Sequence, residues 1–501
     1  MGVIKRQGLK TIFVNYVGAG IGALAVLFIY PLNDELYGFA QWIYSTVLLL
    51  APLASFGITS ITVKYYPIFK SKVDKANHGF LNLILMLFSL SYVIFLILWF
   101  SFKPSFLQAF DFLKMDSSAI IEHEWYLLAL IYLLVAVMTA TNHSSNHLRI
   151  VVPNIVHQLG YKLFLPAMIL LSTLMEITES KMAFYILLFY GFVLIVLTIY
   201  LKSIGALHFG KIKKPSKDFS YRSLLSFGGF SSLNGLSSSL AFRLDTIMIP
   251  FLENMLSNGY YNKIAFMSNT LEMPHRAINQ IAAPIISKAW NDNDVSELRT
   301  VYRKSSTNLF LVGTGIFCLI WYVLDDLIAI SVDPGTFPFA RDIFLFLALG
   351  KLFDMLTSVN SQILVYSKSY KYNLLFLIIL GISNIFLNYY LIRTMDYGIV
   401  GAAMATAISL FIFNLAKLIF IFFKFGLHPF SLSTIKTLVL LGILILLFNY
   451  LPDFQVAIFA ILCKGIFIAL VFGLANYYWN ISKDINDTIL NFLSRLKSKW
   501  N

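Results

Sequence analysis

The sequence has little charge and almost no cysteine. Charged residues make up 13% of its 501 residues, whereas hydrophobic residues make up 58% and the mean hydropathy is +0.76. A typical soluble chain is about a quarter charged, and no stretch here is long and polar enough to fold as a separate soluble domain. The composition therefore argues against a soluble enzyme and predicts a chain whose outer surface faces lipid.

Cys318 and Cys463 are the two cysteines, and both fall inside apolar segments. This placement favours buried, inert thiols over a disulfide or metal ligands. The sequence also lacks a phosphate-binding glycine loop and a nucleophile elbow. We therefore expect no ATP use, no cofactor, no metal and no catalytic residue.

The net charge of +13 raises the question of nucleic-acid binding, which clusters basic residues on one soluble face. Here the basic residues lie in short loops between apolar segments, so we expect no nucleic-acid partner. Lys5, Arg6 and Lys10 precede an apolar run that has no small-residue cleavage site after it. This pattern predicts an uncleaved first helix.

Apolar segments recur along the whole chain. A helix needs about twenty mainly apolar residues to cross the hydrocarbon core of a bilayer. Fourteen segments qualify: 11–30, 38–66, 79–100, 125–149, 153–175, 182–204, 221–250, 257–288, 300–324, 340–366, 370–391, 398–424, 432–451 and 455–478. The alternating pattern of a membrane barrel is missing, so the sequence predicts an all-α polytopic membrane protein with about 14 transmembrane helices.

The loops between these segments differ sharply in charge. With the N-terminus inside, the cytoplasmic side receives most of the basic residues, among them Lys417. The opposite side receives only Lys103, Lys114, Lys181, Arg341 and Arg393. This bias predicts that both termini lie in the cytoplasm, and we expect the membrane to be the bacterial inner membrane.

An internal repeat is indicated by three helix-breaking positions. Pro31, Gly38 and Pro52 precede Pro250, Gly259 and Pro274 by 219, 221 and 222 residues. Repeats of this kind mark the halves of many transporters. We expect an N-terminal six-helix lobe, a basic linker, a second six-helix lobe, two additional helices and an amphipathic cytoplasmic tail, over residues 1–204, 205–220, 221–424, 425–478 and 479–501.

Ionisable residues also fall inside the predicted spans, where each costs about 2.5–3.5 kcal/mol on insertion scales. They are Lys162, Arg243, Asp245, Lys263, Glu272, Arg276, Lys351, Asp354 and Lys464. Lys263 lies near a helix end, and we expect it to snorkel. Helical spacing suggests that Glu272 pairs with Arg276 and Lys351 with Asp354. The pairs either hold the second half together or line a water-filled cavity.

Other charged residues inside the spans lack such neighbours. Arg243 and Asp245 are two residues apart, so they point to different faces and need outside partners. Lys162 has no partner within one turn and faces either an anionic substrate or a distant carboxylate. The spacing offers no interpretation of Lys464.

Three further features are a segment of small and polar residues, an acidic cluster and a pair of histidines. The segment 226–239 is rich in Gly, Ser and Asn, which allows close helix packing, a wetted wall or a hinge. The cluster Glu122–His123–Glu124 is typical of a solvated loop. His143 and His147 have metal-ligand spacing but no acidic neighbour, so we interpret them as structural.

A resemblance to a known family rests on residues 384–409, which read NIFLNYYLIRTMDYGIVGAAMATAIS. Together with the Pro31…Tyr37-Gly38 element and with Asp245, this motif resembles the multidrug/oligosaccharidyl-lipid/polysaccharide exporter superfamily, in its polysaccharide and O-antigen flippase branch. The resemblance implies fourteen helices in two six-helix lobes plus two.

The resemblance also implies a function, which is to flip a polyprenyl-pyrophosphate-linked oligosaccharide by alternating access. Its partners would be that lipid-linked substrate, membrane lipids and a coupling ion, H⁺ or Na⁺. The candidates for contact with the anion are Arg276, Lys351, Arg243 and Lys162. The candidates for their partners, or for ion coupling, are Glu272, Asp354 and Asp245.

Two other functions remain open at this point. A drug or metabolite antiporter of the same superfamily would favour an uncompensated carboxylate, whereas the spans hold six bases against three acids. A membrane glycan polymerase or ligase would need a long outer loop with acid and base residues, and the outer loops here are short.

Overall fold

The computed structural model describes residues 2–71, 76–215, 219–448, 450, 454–487 and 494, and the regular structure of these residues is helical. The first nine helices are α1 (Gly2–Phe28), α2 (Asp34–Ser55), α3 (Ile58–Phe69), α4 (Phe80–Phe112), α5 (Ser118–Asn146), α6 (Val151–Asn154), α7 (Gly160–Ser172), α8 (Glu179–Ser203) and α9 (Tyr221–Leu252). The others are α10 (Met255–Asn269), α11 (Glu272–Asn291), α12 (Val295–Ala329), α13 (Ala340–Thr357), α14 (Asn360–Tyr366), α15 (Lys371–Asn388), α16 (Gly398–Phe425), α17 (Leu432–Phe448) and α18 (Ala457–Trp479).

Each of the fourteen predicted segments coincides with one helix or with consecutive helices. Within the described residues, ten helical spans are long and apolar enough to cross a membrane, and α17 is a shorter apolar helix. The remaining three predicted segments, 221–250, 257–288 and 340–366, are more polar and correspond to α9, α10–α11 and α13–α14. The chain is an all-helical, multi-pass membrane protein, as predicted.

Several spans are interrupted. The segment 38–66 divides into α2 and α3 at Phe56 and Gly57, which both have positive φ angles. Pro52 lies one turn before this break and contributes to it because proline has no backbone N–H to donate. Turns of π-helix at Ile155–Leu159 and Tyr389–Thr394 follow α6 and α15. Breaks within spans free backbone groups that neighbouring helices must then satisfy.

The chain forms two compact units, of which the first comprises Met1–Gly259. In this unit α5 packs against α2, α3 and α8, while α2 packs against α9. Gly228 and Gly235 on α9 face Phe56 and Pro52, and the Ser232 hydroxyl donates to the Pro52 carbonyl at 2.7 Å. The small residues of 226–239 therefore serve close helix packing, one of the roles predicted for them.

The second unit comprises Tyr260–Asn501. In it, α13 packs against α12 and α16, and α12 also contacts α11, α17 and α18. The predicted amphipathic helix at 479–501 falls largely outside the described residues.

One prediction about charged residues is wrong at this level. Lys417, counted with the basic residues of the cytoplasmic side, lies inside the predicted segment 398–424 and is fully buried within α16, which continues to Phe425. The Glu122–Glu124 cluster was predicted to be a solvated loop, but it belongs to α5. There His123 is buried against the Phe39 ring, and Glu124 is buried and binds Lys103 at 2.7 Å. Helix length decides the case of Glu122–Glu124, because α5 begins at Ser118, seven residues before the predicted segment 125–149.

Candidate functional site

Glu272 is bound by two cations in the second unit. Its carboxylate accepts from Arg276 Nη2 at 2.7 Å within α11, and its other oxygen lies 3.1 Å from Lys351 Nζ on α13. Lys351 also donates to the side-chain oxygen of Asn269. One carboxylate is thus shared between two bases, so the three charged groups together carry one net positive charge.

His275 and Asp354 form a second contact between the same two helices. The His275 Nδ1 atom lies 3.1 Å from Asp354 Oδ2, and its Nε2 atom lies 3.2 Å from the Ser358 carbonyl oxygen. His275 comes three residues after Glu272, and Asp354 comes three residues after Lys351. This spacing is the same on α11 and α13, which run in the same direction. The two pairs therefore follow one another along the helices, and we call Glu272–Lys351, with Arg276, the first rung and His275–Asp354 the second rung.

These contacts correct the predicted pairing. Glu272 and Arg276 do pair, as their spacing indicated. Lys351 and Asp354, however, form no ion pair with each other, because each has its closest partner of opposite charge on α11. The local spacing of Lys351 and Asp354 is compatible with a contact, but the side chains of Glu272 and His275 on α11 provide the ones that form.

Helix ends and breaks position the charged cluster, which comprises Glu272, His275, Arg276, Lys351 and Asp354. Asn269 is the last residue of α10 and Glu272 is the first of α11, so the carboxylate sits at a helix N-terminus, which favours negative charge. Ser358 separates α13 from α14 with a φ of 52°. The carbonyl groups freed at this break are satisfied by His275 and by the Ser306 hydroxyl, which donates to the Leu356 carbonyl at 2.5 Å.

Lys417 lies in a polar pocket next to the second rung. Its ammonium group donates to Asn360 Oδ1 at 3.0 Å and to Ser361 Oγ at 2.8 Å, and it stands 3.6 Å from the centre of the Phe413 ring. Within the described residues no carboxylate oxygen lies within 4.0 Å of it, although it attracts Asp354 through space. The pocket provides hydrogen bonds and a ring face for a cation that has no direct ion pair.

The exposed fraction of the side chain increases from Lys351 through Glu272 to Arg276. The Lys351 side chain is 10% exposed, that of Glu272 is 22% exposed and that of Arg276 is 75% exposed. Lys351 is therefore fixed in the packed interior of the unit, whereas the Arg276 guanidinium projects away from it. An anion that approached this face would meet Arg276 first.

The remaining predicted site residues lie in the first unit. Lys162 on α7 is half-buried and packs against Gly18, where an added Cβ would lie 3.0 Å from the lysine Cδ. In the described part of the chain Lys162 makes no hydrogen bond or ion pair. Arg243 and Asp245 on α9 are also half-buried, and the Arg243 guanidinium lies 5.8 Å from the centre of the Tyr44 ring.

Two further lysines have structural partners. Lys263 was expected to snorkel, but it is fully buried and donates to Thr336 Oγ1 at 2.7 Å, beside the Phe337 ring. Lys464, which the sequence did not explain, binds Asp326 at 2.6 Å and joins α18 to α12. Neither residue belongs to the charged cluster of α11 and α13.

The acidic and histidine side chains of the described residues do not gather into a group of three that could hold a metal ion. His143 Nε2 donates to the Ala206 carbonyl oxygen at 3.0 Å. His147 contacts the Tyr66 hydroxyl at 3.2 Å. The chemistry available in the cluster of α11 and α13 is therefore ion pairing, hydrogen bonding and proton exchange.

Solved structures with the same fold are transporters. The chain is similar to the lipid II flippase MurJ in an inward closed conformation, with 16% identity and a TM-score of 0.70 over 95% of this chain and 99% of that one. It is also similar to an inward-facing multidrug resistance MATE family transporter of the MOP superfamily, with 15% identity and a TM-score of 0.53 over 82% of this chain and 94% of that one. At these identities the likeness establishes the fold.

The sequence comparisons identify the family. No curated protein sequence matches the chain. The family described as polysaccharide biosynthesis protein matches residues 5–290, more than half of the chain, including the Pro31…Tyr37-Gly38 element and Asp245. This match confirms the predicted resemblance to polysaccharide biosynthesis proteins, and the fold is the one that the resemblance implied. The protein is therefore a multi-pass membrane protein that belongs to the polysaccharide biosynthesis protein family.

Proposed function

We propose that the protein flips a polyprenyl-pyrophosphate-linked oligosaccharide from the cytoplasmic to the outer leaflet of the bacterial inner membrane by alternating access. It would act as a transporter in cell-surface polysaccharide synthesis, such as that of O-antigen or lipopolysaccharide, and not as an enzyme. Family membership and the fold shared with a lipid II flippase support a lipid-linked cargo.

One observation carries the proposal: Arg276 projects from a cluster that retains a net positive charge. An exposed guanidinium in the middle of a span would cost several kcal/mol against lipid. We infer that it faces water, where it can bind a pyrophosphate with the bidentate geometry that arginine favours. Glu272 and Lys351 hold the arginine in place from the protein side.

In the first unit, Lys162 and Arg243 are the proposed contacts for the same type of cargo. Lys162 lies beside Gly18, whose missing side chain leaves room for the long lysine. Arg243 lies near Tyr44, an aromatic ring of the kind that packs well against sugars and cations. We propose Asp245 as a partner or ion-coupling group, as we do Glu272 and Asp354.

The partners of the acids weaken the case for a cation-coupled drug antiporter. Such a carrier favours a carboxylate that is free to bind cations, but Glu272 binds two bases and Asp354 binds His275. A polymerase or ligase would require reacting groups beside the glycan. The exposed member of this cluster is an arginine, which suits binding better than acid–base chemistry.

We also propose the predicted organisation: lobes at 1–204 and 221–424, a basic linker at 205–220, two further helices and a tail. Both termini would lie in the cytoplasm. The position of the basic residues in the loops supports this orientation. Cysteine accessibility labelling at the two ends of the chain in intact cells tests it.

The function can be tested by transport in proteoliposomes with a fluorescent polyprenyl-pyrophosphate-linked oligosaccharide. Arg276→Gln removes a hydrogen bond to a charged group, worth about 1.5–3 kcal/mol. Since about 1.4 kcal/mol corresponds to tenfold, the initial rate should fall at least about tenfold. Arg276→Lys should recover part of it, and Arg276→Gln/Lys351→Gln should abolish transport.

Arg341→Gln is the matched control, because Arg341 also binds a carboxylate in the second unit, that of Asp325, but lies outside the cluster. It should transport at nearly the wild-type rate. All variants are compared by gel filtration and melting temperature first. Wild-type transport in folded Arg276→Gln/Lys351→Gln protein would refute the proposed site, and no transport by the wild type would refute the function.

A further inference from the structure

The second rung of the charged cluster has a hydrogen-bond pattern that requires a proton. The Ser358 carbonyl oxygen can only accept, so His275 Nε2 must carry a hydrogen to make its 3.2 Å contact. On the other side of the ring, Nδ1 lies 3.1 Å from Asp354 Oδ2. An ionised carboxylate also only accepts, so this contact needs a further hydrogen, on either the nitrogen or the oxygen.

The pair therefore exists in two states. With the proton bound, His275 and Asp354 are together neutral, and both ring nitrogens have suitable partners. When the proton leaves to water, a neutral imidazole presents its Nδ1 lone pair to a carboxylate anion, and the pair carries one negative charge. Only the protonated state fits the observed contacts.

On the water-facing wall that the proposed function assigns to this cluster, solvent can reach this proton. The Asp354 side chain is 24% exposed and that of His275 is 13% exposed. The pair is thus neither sealed in the interior nor free in solvent. It can exchange a proton while the surrounding helices keep its geometry.

The charged groups around the pair are those of the proposed anion site in the second unit, together with Lys417. Glu272 and Arg276 lie on α11, Lys351 lies on α13, and Lys417 on α16 attracts Asp354. The helices α12 and α14 contribute uncharged groups: Ser306 on α12, and Asn360 and Ser361 on α14. Four charged residues of α12 have partners outside the cluster: Arg303 contacts His428, Lys304 contacts Asp484, Asp325 binds Arg341 and Asp326 binds Lys464.

Loss of the proton changes the charge of the whole face. With the proton bound, Glu272, Arg276, Lys351, His275 and Asp354 sum to one positive charge. Without it they sum to zero, and the bare Asp354 carboxylate competes for Lys351, three residues away on the same helix. An anion is attracted more strongly in the protonated state.

We propose that this face binds its anionic cargo together with one proton, and that the His275–Asp354 pair holds that proton. The inference rests on the proposed function, because it assumes that the cargo is a pyrophosphate. Binding of the two ligands is reciprocal: the anion tightens proton binding by the same factor by which the proton tightens anion binding.

The test uses farnesyl pyrophosphate as a short, defined probe and the full-length protein in detergent. Isothermal titration calorimetry above pH 8, in two buffers of different ionisation enthalpy, counts the protons taken up per ligand bound. The wild type should take up as much as one proton, and its Kd should rise by up to about tenfold per pH unit where the free pair loses its proton. His275→Gln and Asp354→Asn should take up none and should show a flat pH profile.

Three controls separate the possible outcomes. Farnesol lacks the pyrophosphate and should give no proton uptake. His428→Gln changes a histidine outside the cluster and should behave as the wild type does. Lys417→Gln should keep the uptake, because the proton belongs to the pair. Loss of uptake in Lys417→Gln but not in His275→Gln would overturn the assignment.

The result also distinguishes the two proposals. A wild-type protein that transports the lipid-linked oligosaccharide and binds farnesyl pyrophosphate without proton uptake would overturn the proton site and leave the proposed function intact. A protein that neither binds the probe nor transports the oligosaccharide would overturn both.

Discussion

Gly38 on α2 and Gly259 on α10 lie against each other's helices in a reciprocal contact. A Cβ added to Gly38 would lie 2.0 Å from the Met255 carbonyl oxygen, and one added to Gly259 would lie 2.1 Å from the Asp34 carbonyl oxygen. Met255 and Asp34 each precede their own glycine by four residues. Both glycines and both carbonyl residues are thus 221 residues apart, which supports the proposed internal repeat.

This crossing predicts a large effect of a single methyl group. Gly38→Ala or Gly259→Ala forces the two backbones apart, because neither carbonyl can move independently of its helix. Overpacking of this kind costs about 1–3 kcal/mol or more, and the melting temperature in detergent should fall. Gly191→Ala on α8 is the matched control, since nothing lies within 4 Å of the added Cβ. Equal melting temperatures for all three variants would contradict the close contact.

The Glu272–Lys351 ion pair predicts that the two residues are strongly coupled in their contributions to the free energy of unfolding. Glu272→Gln leaves the ammonium group of buried Lys351 without its nearest counter-ion, a change that costs about 3–5 kcal/mol in buried pairs. Adding Lys351→Met should restore part of this loss, with a coupling of about 0.5–3 kcal/mol in a double-mutant cycle. Arg276→Gln should cost at most about 1 kcal/mol because its side chain is largely exposed. Additive effects in chemical unfolding would show that the rung is not an energetic unit.

Asp325 and Asp326, neighbouring acids near the end of α12, should differ in how much they stabilise the fold. Asp326 binds Lys464 at 2.6 Å with both side chains largely buried, whereas Asp325 is 61% exposed where it binds Arg341. Asp326→Asn should therefore lower the melting temperature more than Asp325→Asn does. The exchange Asp326→Lys/Lys464→Asp should recover part of the stability. A larger loss in Asp325→Asn would contradict the burial argument.

His428 predicts a pH dependence of stability outside the membrane-spanning helices. Its Nε2 atom accepts from Arg303 Nη2 at 2.7 Å, which requires a neutral imidazole. Burial, followed by the charges of Arg303 and Arg299, lowers the pKa of His428 below its ordinary value of 6.5.

Because the folded-state pKa is the lower one, the unfolded chain binds more protons between the two values. The contribution of His428 is therefore present above about pH 6.5 and is lost as the pH falls through the folded-state pKa. Melting temperatures from pH 5 to 8 should decline less steeply at the acidic end in His428→Gln than in the wild type. Parallel profiles would show that His428 makes no such contribution.

The sequence predicted the contacts that depend on spacing along one helix. Glu272 and Arg276 are four residues apart, and the structure confirms their pairing. The partner of Lys351 could not be found in this way, since Glu272 lies on a helix far away in sequence. One signal was available: Glu272 and His275 have the same three-residue spacing as Lys351 and Asp354, with acid and base in opposite order. On two neighbouring spans that run the same way, this pattern predicts two rungs.

The helix breaks were only partly predictable. Pro52 and Gly57 accompany the break between α2 and α3, and both residue types are common at such positions. The break at Ser358 has neither proline nor glycine beside it, and its carbonyl is held by His275 from another helix. Packing fixes this break, so the local sequence carries no sign of it. The predicted segment 398–424 already contained Lys417, but its burial was missed because the orientation rule counts every lysine near a helix end with the cytoplasmic charge.

The polar composition of α9, α10–α11 and α13–α14 has a consequence for biosynthesis. The apolar spans can leave the translocon one by one, because lipid solvates them directly. A segment that carries Glu272 and Arg276, or Lys351 and Asp354, gains stability in the bilayer only once the partner helix is present. We therefore expect the Glu272 segment to remain at the insertion machinery until α13 has been made, and ribosome-bound chains that end before α13 should leave this segment open to carbonate extraction.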